Sequence, residues 1–513
     1  MIRIINRELG GSALARAALA GDVPDWYAPR LIGARAWDRA ASDVAADFGR
    51  RNWVDELLPA LQPNAEVLAR LRSVVSGGGV VVTGGQQPGL FGGPLYVLYK
   101  AITLVEMARA IEAATSRPCV PVFWAATDDT DFVEASHVSV VRDGRLEMLG
   151  MSDPAAPGRS MAATPLGDVA QLLDRLEAAC AAAPDARVLM AVRGAYARQE
   201  TVGSAYVTFL RSLLHPLGVA VLDASHAAVR AAGRATMVSA LASAEGIATA
   251  LRDRAAAIAT AGYRPQVADV ANLSLVFETL GDGTRRRVPL RAARETANAI
   301  EAQRLGPNVL LRPIMERQIL PTVTYVGGPG EVAYFAQVSA VADAIGFAAP
   351  RVIPRWSGTV IEPDVQETMA CLGATVEDFS DPHALEGRVA RAAVPTDVRE
   401  SIERLRDAVR AARETLVAKP TTSTALQRSI GAMEAGVLHR LARLERRYAA
   451  AVKQGGTAEL RDVAHVRASL YPNGAPQERV LSFVPMLARY DSELLDSISE
   501  AARQHVDRVI KGG

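Results

Sequence analysis

The clearest pattern of apolar and polar positions lies between Val80 and His137. An apolar run begins at Val80, leads into a glycine-rich segment and is followed by an amphipathic helix pattern. A second apolar run, Val120–Ala126, ends in three aspartates. Short apolar runs bounded by turn residues are typical of strands in a parallel sheet. The series therefore predicts strand, loop, helix, strand and acidic loop, with an active-site crevice at the carboxyl ends of the strands.

A second unit of the same kind begins at Pro321. The stretch Pro321–Val326 predicts a strand, Gly327–Glu331 predicts a tight loop, and the apolar sequence after it predicts a helix. Two such units, separated by a long stretch of chain, indicate one doubly wound α/β sheet that is interrupted in sequence. The Ala-rich residues 1–75 predict helices that cover an edge or a face of this sheet.

The stretch between the two units has a different pattern. Helical Ala-rich segments alternate there with short strand candidates at Val219–Leu222 and Leu273–Glu278. We interpret this stretch as an insertion between two halves of the core. The predicted division is a first core half at 1–150, the insertion at 151–305, a second core half at 306–390, a helical arm at 391–458 and a C-terminal segment at 459–513 that returns to the core.

The predicted arm contains two runs of apolar residues that step by three and four positions. The first run is Ile402, Leu405, Val409, Ala412 and Leu416, and the second, after the break KPTTS, is Leu426, Ile430, Met433, Val437, Leu441, Leu444 and Tyr448. Charged residues fill the other positions, and the phase breaks near Leu441. The pattern predicts an antiparallel coiled-coil hairpin, a projecting arm of the kind that serves dimerisation or docking. The alternative is an ordinary helix pair that lies on the core.

Composition narrows the class of protein. Of 513 residues, 49% are hydrophobic and 22% are charged, which is ordinary for a globular chain of two to four domains. The 57 basic and 56 acidic residues nearly cancel, so no nucleic-acid partner is indicated. No apolar run is long enough to span a membrane. Three scattered cysteines without metal-ligand spacing and an N-terminus without a signal sequence favour a cytoplasmic protein, and no protein-bound metal site is predicted.

Candidate chemistry begins with five glycines after the first strand. They are Gly84, Gly85, Gly89, Gly92 and Gly93. A glycine-rich loop between a strand and a helix lets backbone N–H groups approach an anion closely. The spacing matches neither the Rossmann fingerprint nor the P-loop, and a glycine-rich turn without a ligand is the alternative. Gln86 and Gln87 suit a polar ligand, and Lys100 is a further candidate, although a lone lysine on a helix is more often solvated.

Three aspartates, Asp128, Asp129 and Asp131, follow the second strand. In extended backbone Asp129 and Asp131 would face one side of the sheet and Asp128 the other. Such carboxylates can bind an ammonium group, orient a hydroxyl, hold Mg²⁺ or accept a proton, so all three are candidate catalytic residues. A solvated turn or a helix cap is the alternative. His137 is a fourth catalytic candidate, with a structural histidine as its alternative.

The second glycine unit provides further candidate binding residues. They are Gly327, Gly328, Gly330, Glu331, Tyr334 and Gln337. Capping of the following helix alone could explain Glu331, and Tyr334 and Gln337 would lie one turn apart on one helix face. The candidate clamps for phosphate or carboxylate are Arg312, Arg351 and Arg355. The alternative for each arginine is an ordinary surface position.

Four blocks of the sequence resemble the signature of one known family. They read TGGQQPGLFGGPLYVLYKAI, PVFWAATDDTDFVEASHV, PNVLLRPIMERQILPTVTYVGGPGEVAYFAQV and YPNGAPQERV, and they follow the family's order. On these blocks the chain resembles the bacillithiol biosynthesis cysteine-adding enzymes, the BshC family of cysteine ligases. The resemblance implies a Rossmann-like core similar to class I aminoacyl-tRNA synthetases, connecting-peptide-like insertions, and a coiled-coil domain that contributes to a homodimer.

The resemblance also implies a reaction. In the last step of bacillithiol synthesis, cysteine is joined to glucosaminyl-malate through an amide bond. The analogy of fold alone implies that ATP, together with Mg²⁺, activates the cysteine carboxylate. The HIGH and KMSKS motifs of the synthetases are absent from this sequence. The first glycine loop would hold substrate anions or phosphates, Asp129 and Asp131 would orient the amine or the cysteine ammonium, and Gly327–Glu331 would form the far wall.

The chain departs from the family pattern at two places. The family's Glu-Asp-His-Asp is Asp128-Asp129-Thr130-Asp131 here, so Thr130 replaces the histidine, and Gly84-Gly85 contains one additional glycine. Thr130 favours, as an alternative, a ligase of the same fold that uses a different amine acceptor. The helical arm and the missing ATP motifs favour a second alternative, a non-catalytic dimeric protein that binds a nucleotide or another small molecule.

Overall fold

A computed structural model describes residues 1–49, 51–152, 157–180, 187–299, 304–381 and 383–512. The chain divides into two compact units. The larger unit comprises Ile2–Val140, Glu147–Val360 and the chain from Glu478 onward, and the smaller unit comprises Ile361–Gln477 with Val141–Leu146 and Met1. The strands are β1 (Arg3–Asn6), β2 (Val80–Gln86), β3 (Cys119–Ala125), β4 (His137–Arg142), β5 (Arg145–Gly150), β6 (Ala220–Asp223), β7 (Leu273–Thr279), β8 (Arg285–Pro289), β9 (Leu305–Pro307), β10 (Thr322–Gly327), β11 (Val352–Pro354) and β12 (Gly358–Ile361).

Helices make up most of the remaining described chain. They are α1 (Ala13–Ala20), α2 (Ala34–Phe48), α3 (Trp53–Leu61), α4 (Ala65–Ser76), α5 (Leu95–Thr115), α6 (Phe132–Ala135), α7 (Ala170–Ala179), α8 (Arg187–Arg198), α9 (Val202–Leu214), α10 (Ala227–Ala242), α11 (Ala244–Thr260), α12 (Ala293–Ala299), α13 (Arg312–Ile319), α14 (Pro329–Ile345), α15 (Pro363–Cys371), α16 (Ala384–Ala392), α17 (Thr396–Val417), α18 (Thr424–Gly455), α19 (Ala458–Leu470) and α20 (Val484–Lys511). Among the described residues, no helix combines the length and the apolar character that a membrane span requires.

The core of the larger unit is a five-stranded parallel sheet in the order β11-β10-β2-β3-β6. Strands β2 and β3 pair from Val80 opposite Cys119 to Gln86 opposite Ala125. Every residue of β3 and all but the last of β2 are buried, which explains their continuous apolar sequences, because a parallel strand is covered on both faces. The predicted α/β class with a parallel core sheet is confirmed.

One strand of this sheet comes from the predicted insertion. Strand β6 pairs in parallel with β3, from Ala220 opposite Val122 to Asp223 opposite Ala125. The strand predicted at Val219–Leu222 therefore exists, but its assignment to a segment between two core halves is wrong. A strand of four residues has too little local pattern to indicate which sheet it joins. Residues 153–156, 181–186 and 300–303 of the predicted insertion lie outside the described residues.

The N-terminal helices cover the core sheet, as predicted. Helix α2 contacts β2 and β10, α3 contacts β6, and α4 contacts β3. Trp53 of α3 is buried and belongs to the same apolar cluster as Val81 and Val120 of the sheet. Burial of such large apolar side chains between a helix layer and a sheet is the main contribution that holds the two layers together.

Helix α5 differs from its predicted amphipathic pattern. It is buried on almost every face, because it packs on β2 and β3 and also contacts α2 and α20. Pro94 is the N-cap of this helix. A helix without a solvated face must satisfy its polar side chains inside the protein. The single lysine of α5 is therefore placed to form buried contacts.

In the smaller unit, α17 and α18 form the predicted helical hairpin, which is confirmed. Arg406 lies 2.6 Å from Glu445, and Arg413 lies 3.0 Å from Glu434. The partner's number falls as the arginine's number rises, so the two helices run antiparallel. These ion pairs flank the apolar contact, as charged positions do in a coiled coil.

Only part of the predicted seam is buried within this hairpin. Ile402, Ile430 and Leu441 are buried. Six other seam residues, which we call the exposed stripe, are Leu405, Leu416, Leu426, Met433, Leu444 and Tyr448. Because two helices cover only the apolar positions that face each other, the remainder of a wide apolar stripe stays exposed.

Candidate functional site

A cleft of about 680 Å³ opens at the carboxyl ends of β2, β3 and β10 in the larger unit. Its lining also includes the start of α14, residues of β7 and β8, and the segment 266–270. An open α/β sheet binds its ligands at this edge, and the volume is within the range of small-molecule sites. Both predicted glycine units contribute residues to the cleft.

Lys100 of α5 lines the cleft with a side chain that is 1% exposed. Its Nζ lies 2.5 Å from Glu331 Oε2, 2.6 Å from the Gly85 carbonyl oxygen and 3.2 Å from Gln86 Oε1. Burial lowers the pKa of Lys100, and the Glu331 carboxylate opposes that shift. The interpretation of Lys100 as a solvated lysine is wrong, because the helix face that contains it packs against the end of β2.

Glu331 accepts hydrogen bonds at both carboxylate oxygens. The Gly328 N–H donates to Oε2 at 2.5 Å, and the Tyr325 hydroxyl donates to Oε1. Burial alone would raise the pKa of Glu331, but Lys100 and Arg312 outweigh it and hold the pKa below its ordinary value. Helix capping explains only the contact with Gly328, so Glu331 also belongs to a buried ionic network.

Arg312 completes this network at the start of α13. Its Nη2 donates to the hydroxyls of Tyr325 at 3.0 Å and Tyr334 at 3.1 Å, and its Nη1 lies 2.9 Å from Glu316 Oε2. Arg312 and Tyr334 both line the cleft. The guanidinium fixes two aromatic rings while it adds positive charge to this wall.

The three aspartates do not share an extended strand, because β3 ends at Ala125 and a turn follows. Asp128 is paired with Arg285 of β8 at 3.2 Å. Asp131 is the N-cap of α6 and accepts a hydrogen bond from the Glu134 N–H at 3.0 Å. The predicted alternation of faces is wrong, and the helix-cap alternative describes Asp131, which is not among the residues that line the cleft.

Asp129 does line the cleft. Burial raises its pKa, the Asp128 carboxylate raises it further, and the Asp131 N–H, which donates to Asp129 Oδ1 at 2.8 Å, acts in the opposite direction. A half-buried carboxylate of this kind gains from a cationic ligand such as an ammonium group.

Glu134 of α6 is a cleft residue that our sequence prediction missed. Its Oε1 lies 3.3 Å from the Tyr96 hydroxyl, which is 3.2 Å from Gln86 Nε2. Burial, followed by the Asp131 carboxylate, raises the pKa of Glu134. Its position three residues after Asp131, on the first turn of a helix, was the available signal. Nothing in that spacing indicated that α6 lies beside the end of β2.

Besides Asp131 and several glycines, three predicted residues lie outside the cleft. His137 begins β4, and its Nδ1 lies 2.6 Å from the Val133 carbonyl oxygen. Gln337 forms two hydrogen bonds with the backbone of Val267, at 2.9 and 2.8 Å, so it holds a cleft-lining segment without facing the cleft itself. Arg351 donates to backbone carbonyl oxygens, one of them in β10, at 3.1 and 3.2 Å. For His137 the structural alternative describes the geometry, whereas Arg351 is half-buried and holds backbone carbonyl oxygens, so it is neither a ligand clamp nor an ordinary surface residue.

The first glycine loop serves packing more than ligand binding. Only Gly85 of its five glycines lines the cleft, together with Gln86 and Gln87, and the Gly85 N–H already donates to the Tyr325 hydroxyl at 3.2 Å. The N–H groups of Gly92 and Gly93 donate within the loop at 3.0 Å. The predicted anion cradle is therefore wrong for these amides, because they are already hydrogen-bonded within the chain.

Close packing explains the remaining glycines of this loop. A Cβ on Gly92, whose φ is +87°, would lie 2.6 Å from the Phe483 ring. A Cβ on Gly84 would lie 2.8 Å from the Val326 carbonyl oxygen, and one on Gly89 would lie 2.8 Å from the Gly93 Cα. In the second unit, Gly327 ends β10, whereas Gly328 and Gly330 line the cleft.

Two further arginines border the cleft near Tyr96. Arg355 is buried and forms a bidentate pair with Glu478 at 2.6 and 3.2 Å. Arg479 is exposed, and within the described residues its side chain forms no hydrogen bond or ion pair. Our sequence prediction missed Arg479, although the YPNGAPQERV block contains it. Arg479 is the arginine of this pair that remains available for an anion.

The carboxylates of the site do not converge as metal ligands. In the part of the chain that the structure describes, no group of three or more His, Cys, Asp or Glu side chains could hold a metal ion. Asp128 is engaged by Arg285, and Asp131 caps a helix. The residues present therefore do not form a protein cage for Mg²⁺, and we derive no chemical step through a metal.

The chain matches two family models in succession. Residues 25–356 match "Bacillithiol biosynthesis BshC, N-terminal Rossmann-like domain", and residues 358–508 match "Bacillithiol biosynthesis BshC, C-terminal coiled-coil domain". Together with the parallel sheet and the helical hairpin, these matches confirm the predicted Rossmann-like core and coiled-coil region.

Similar proteins match along most of their own length. A protein of Solibacter usitatus is 30% identical over 507 residues, which is 94% of each chain. A protein of Heliobacterium modesticaldum is 30% identical, with 91% of each chain covered, and one of Salinibacter ruber is 30% identical, with 83% of this chain and 81% of the relative covered. All three are named "Putative cysteine ligase BshC".

Proposed function

The chain belongs to the bacillithiol biosynthesis BshC family, and on this premise we propose that it is a ligase that joins cysteine to glucosaminyl-malate through an amide bond. The observation that carries the proposal is the composition of one cleft. It contains the accessible carboxylate Glu134, the half-buried carboxylate Asp129 and the unpaired Arg479. The two substrates together present amino groups and carboxylates, and the cleft offers a complementary group for each.

The counterpart of the substrate amino groups is the segment 128–134 after β3, which contains four acidic residues and which we call the acidic wall. Asp129 and Glu134 line the same cleft, and the environment of each raises its pKa. A carboxylate destabilised by burial gains more from an ammonium partner than a solvated carboxylate does. We assign Asp129 to orientation of a substrate amino group. Asp131 contributes indirectly, because it fixes the start of α6.

The acidic groups of the substrates have their counterpart in Arg479 and the start of α14. Gly328 is the N-cap of this helix, and Pro329 and Gly330 follow it along the cleft. The first N–H groups of a helix and its dipole favour anions. Pro329 has no N–H and the Gly328 N–H donates to Glu331, so the first N–H that this helix end offers to a substrate anion is that of Gly330. The same groups fit the phosphates of ATP, which we propose as co-substrate by analogy of fold. When bound, ATP would convert the cysteine carboxylate into an electrophile with a phosphate-type leaving group.

Thr130 supports a second candidate within the same class, a ligase with a different amine acceptor. It lines the cleft between the acidic residues, where the resembled family pattern has a histidine. A threonine is smaller than a histidine and cannot become charged, so it presents a different surface to the acceptor.

We also propose a homodimer through the coiled-coil hairpin. The exposed stripe gives this hairpin an apolar face on the outside of its own helix pair. Exposed apolar patches are typical of interaction surfaces, and a second copy of the hairpin would present the same residues.

The proposal is tested with the purified protein, cysteine, glucosaminyl-malate and ATP, with the product identified by mass spectrometry. We expect bacillithiol that depends on all three reactants. A panel of other amino sugars separates the two candidates, because faster coupling to another amine would favour the second. Deletion of the gene in its host should cause glucosaminyl-malate to accumulate, and unchanged bacillithiol in that strain would contradict the proposal.

A further inference from the structure

The hydrogen-bond chain beside the acidic wall has a fixed direction. It begins at Lys100, whose Nζ is within 3.2 Å of three acceptors: the Gly85 carbonyl oxygen, Gln86 Oε1 and Glu331 Oε2. A lysine ammonium has three N–H donors and no acceptor, so these three oxygens use all of its hydrogens. Since Lys100 can only donate, the amide oxygen of Gln86 must face it.

The orientation of Gln86 then determines the role of Tyr96. With its oxygen toward Lys100, Gln86 presents its NH₂ group to the Tyr96 hydroxyl at 3.2 Å. The tyrosine oxygen accepts this hydrogen bond, and its own proton is free to be donated. The remaining partner of this hydroxyl is Glu134 Oε1 at 3.3 Å. Oε1 of Glu134 therefore accepts a hydrogen bond from Tyr96, and a hydrogen bond donated to a carboxylate favours its ionised form, which is the form that can take a proton.

Glu134 is also the carboxylate that a substrate can reach. Asp128 is bound by Arg285, Asp131 caps α6, and Asp129 receives the Asp131 N–H. Glu134 is exposed and lines the cleft, and among the described residues Tyr96 is its side-chain hydrogen-bond partner. Of the four acids at this wall, it combines a side-chain hydrogen bond that favours the ionised form with access from the cleft.

We propose that Glu134 is the catalytic base that takes the proton from the attacking amine, and that Tyr96, Gln86 and Lys100 are positioning residues that keep it ready to accept. This inference rests on the proposed ligase function. The amine nitrogen forms a bond to the carbonyl carbon of the activated cysteine, whose carboxyl has been activated by a nucleoside triphosphate. The bond from that carbon to the phosphate-type oxygen breaks, and its electron pair leaves on the oxygen. The N–H proton passes to the Glu134 carboxylate.

The charges around Glu134 suit this task. Burial and the carboxylates of Asp131 and Asp129 raise its pKa, whereas the Tyr96 hydroxyl and Arg479 lower it. The net upward direction brings the carboxylate nearer to the pH at which a base is effective. Removal of the Tyr96 hydroxyl takes away one lowering contribution, so the pKa of Glu134 should rise further.

The decisive experiment compares wild type, Glu134→Gln, Tyr96→Phe and Glu367→Gln in the coupling assay as a function of pH. Glu367 is an exposed residue of α15 and serves as the matched control. For Glu134→Gln we expect kcat to fall by about 10²–10⁴ and the acidic limb of the kcat profile to disappear, while the KM for the amine changes little. For Tyr96→Phe we expect a smaller loss, with the acidic limb moved to higher pH.

The outcomes separate this inference from the proposed function. If wild type couples cysteine to the amine and Glu134→Gln keeps both its kcat and its acidic limb, the base assignment is overturned and the ligase function stands. If Glu134→Gln loses kcat but Tyr96→Phe leaves the acidic limb in place, the positioning chain is overturned. If wild type forms no amide bond with any amine, the ligase function fails and the base assignment fails with it.

Discussion

Two ion pairs of nearly equal length show how differently the two units of this protein use charge. Lys100 and Glu331 in the cleft are 2.5 Å apart, with side chains that are 1% and 17% exposed. Arg406 and Glu445 in the helical hairpin are 2.6 Å apart, with side chains that are 21% and 33% exposed. By the distance between their charged atoms, the two ion pairs would be equally strong. Burial makes the first a fixed part of the site, and solvent leaves the second as one of several weak surface contacts.

The two regions also differ in the exposure of their apolar residues. Around the cleft, the apolar side chains of β2, β3 and α5 are buried, and the one charged group that enters the cleft among them, Lys100, is held by partners within the protein. In the hairpin, the exposed stripe leaves large apolar side chains in solvent. The first region is organised for chemistry at one place, and the second offers a surface that another chain can cover.

The largest expected difference is in the free energy of unfolding when one member of each of these two ion pairs is replaced. Lys100→Met leaves the Glu331 carboxylate buried without its ammonium partner, and we expect it to lower the free energy of unfolding by about 3–5 kcal/mol. Arg406→Met, the matched control, should cost about 0.2–1 kcal/mol. Urea unfolding of both variants measures the difference. Equal losses would contradict the role that we assign to burial.

Glycine substitutions in the two regions should have opposite signs. Gly92→Ala places a Cβ 2.6 Å from the Phe483 ring at a φ of +87°, and strain and overpacking should cost about 1–3 kcal/mol. Gly436→Ala in α18 meets nothing within 4 Å, and removal of a helix-interior glycine should stabilise by about 0.5–1 kcal/mol. Thermal unfolding compares the two variants, and a stable Gly92→Ala protein would argue against the close packing of this loop.

The exposed stripe can be tested through the oligomeric state. We expect Leu405→Ser and Leu426→Ser each to weaken self-association by about tenfold, because each removes a large apolar side chain from a surface that a second copy would bury. Analytical ultracentrifugation measures the dimer fraction. His439→Gln, on the same helix as Leu426 but on the opposite face, is the control. Unchanged association in both leucine variants would refute the proposed dimer surface.

The smallest effect that we expect concerns pH and the smaller unit. His465 Nε2 lies 3.4 Å from Asp364 Oδ2, which raises the pKa of His465 above 6.5 and lowers that of Asp364 below 3.8. The pair stabilises the folded state fully between pH 3.8 and pH 6.5, the ordinary pKa values of the two groups. This stabilisation is lost as the pH rises through the raised pKa of His465, and it is also lost as the pH falls through the lowered pKa of Asp364. Melting temperatures of wild type and His465→Gln should therefore converge at alkaline pH, with His439→Gln as the control. A constant difference across pH would contradict this assignment.

Local patterns were sufficient to predict the elements of both regions. The apolar runs at Val80 and Val120 predicted buried parallel strands, and the three-and-four spacing after Ile402 predicted the hairpin. Such periodicities reflect the geometry of single strands and helices, so they can be read without knowledge of neighbours. The same information placed Gly85, Gln86, Gly328 and Tyr334 near one edge of the sheet.

The partners of the polar groups could not be predicted in this way. The sequence by itself determined that a glycine-rich strand end, an acidic turn and a second glycine unit would meet at the carboxyl edge of one sheet. Tertiary structure decided that Lys100 is buried against Glu331, 231 positions away, that Asp131 caps a helix, and that Glu134 enters the cleft. The physical reason is that sequence periodicity specifies which face of a helix or strand is buried. The hydrogen-bond partners of a polar side chain and its pKa depend instead on which residues of other elements the fold places against that face.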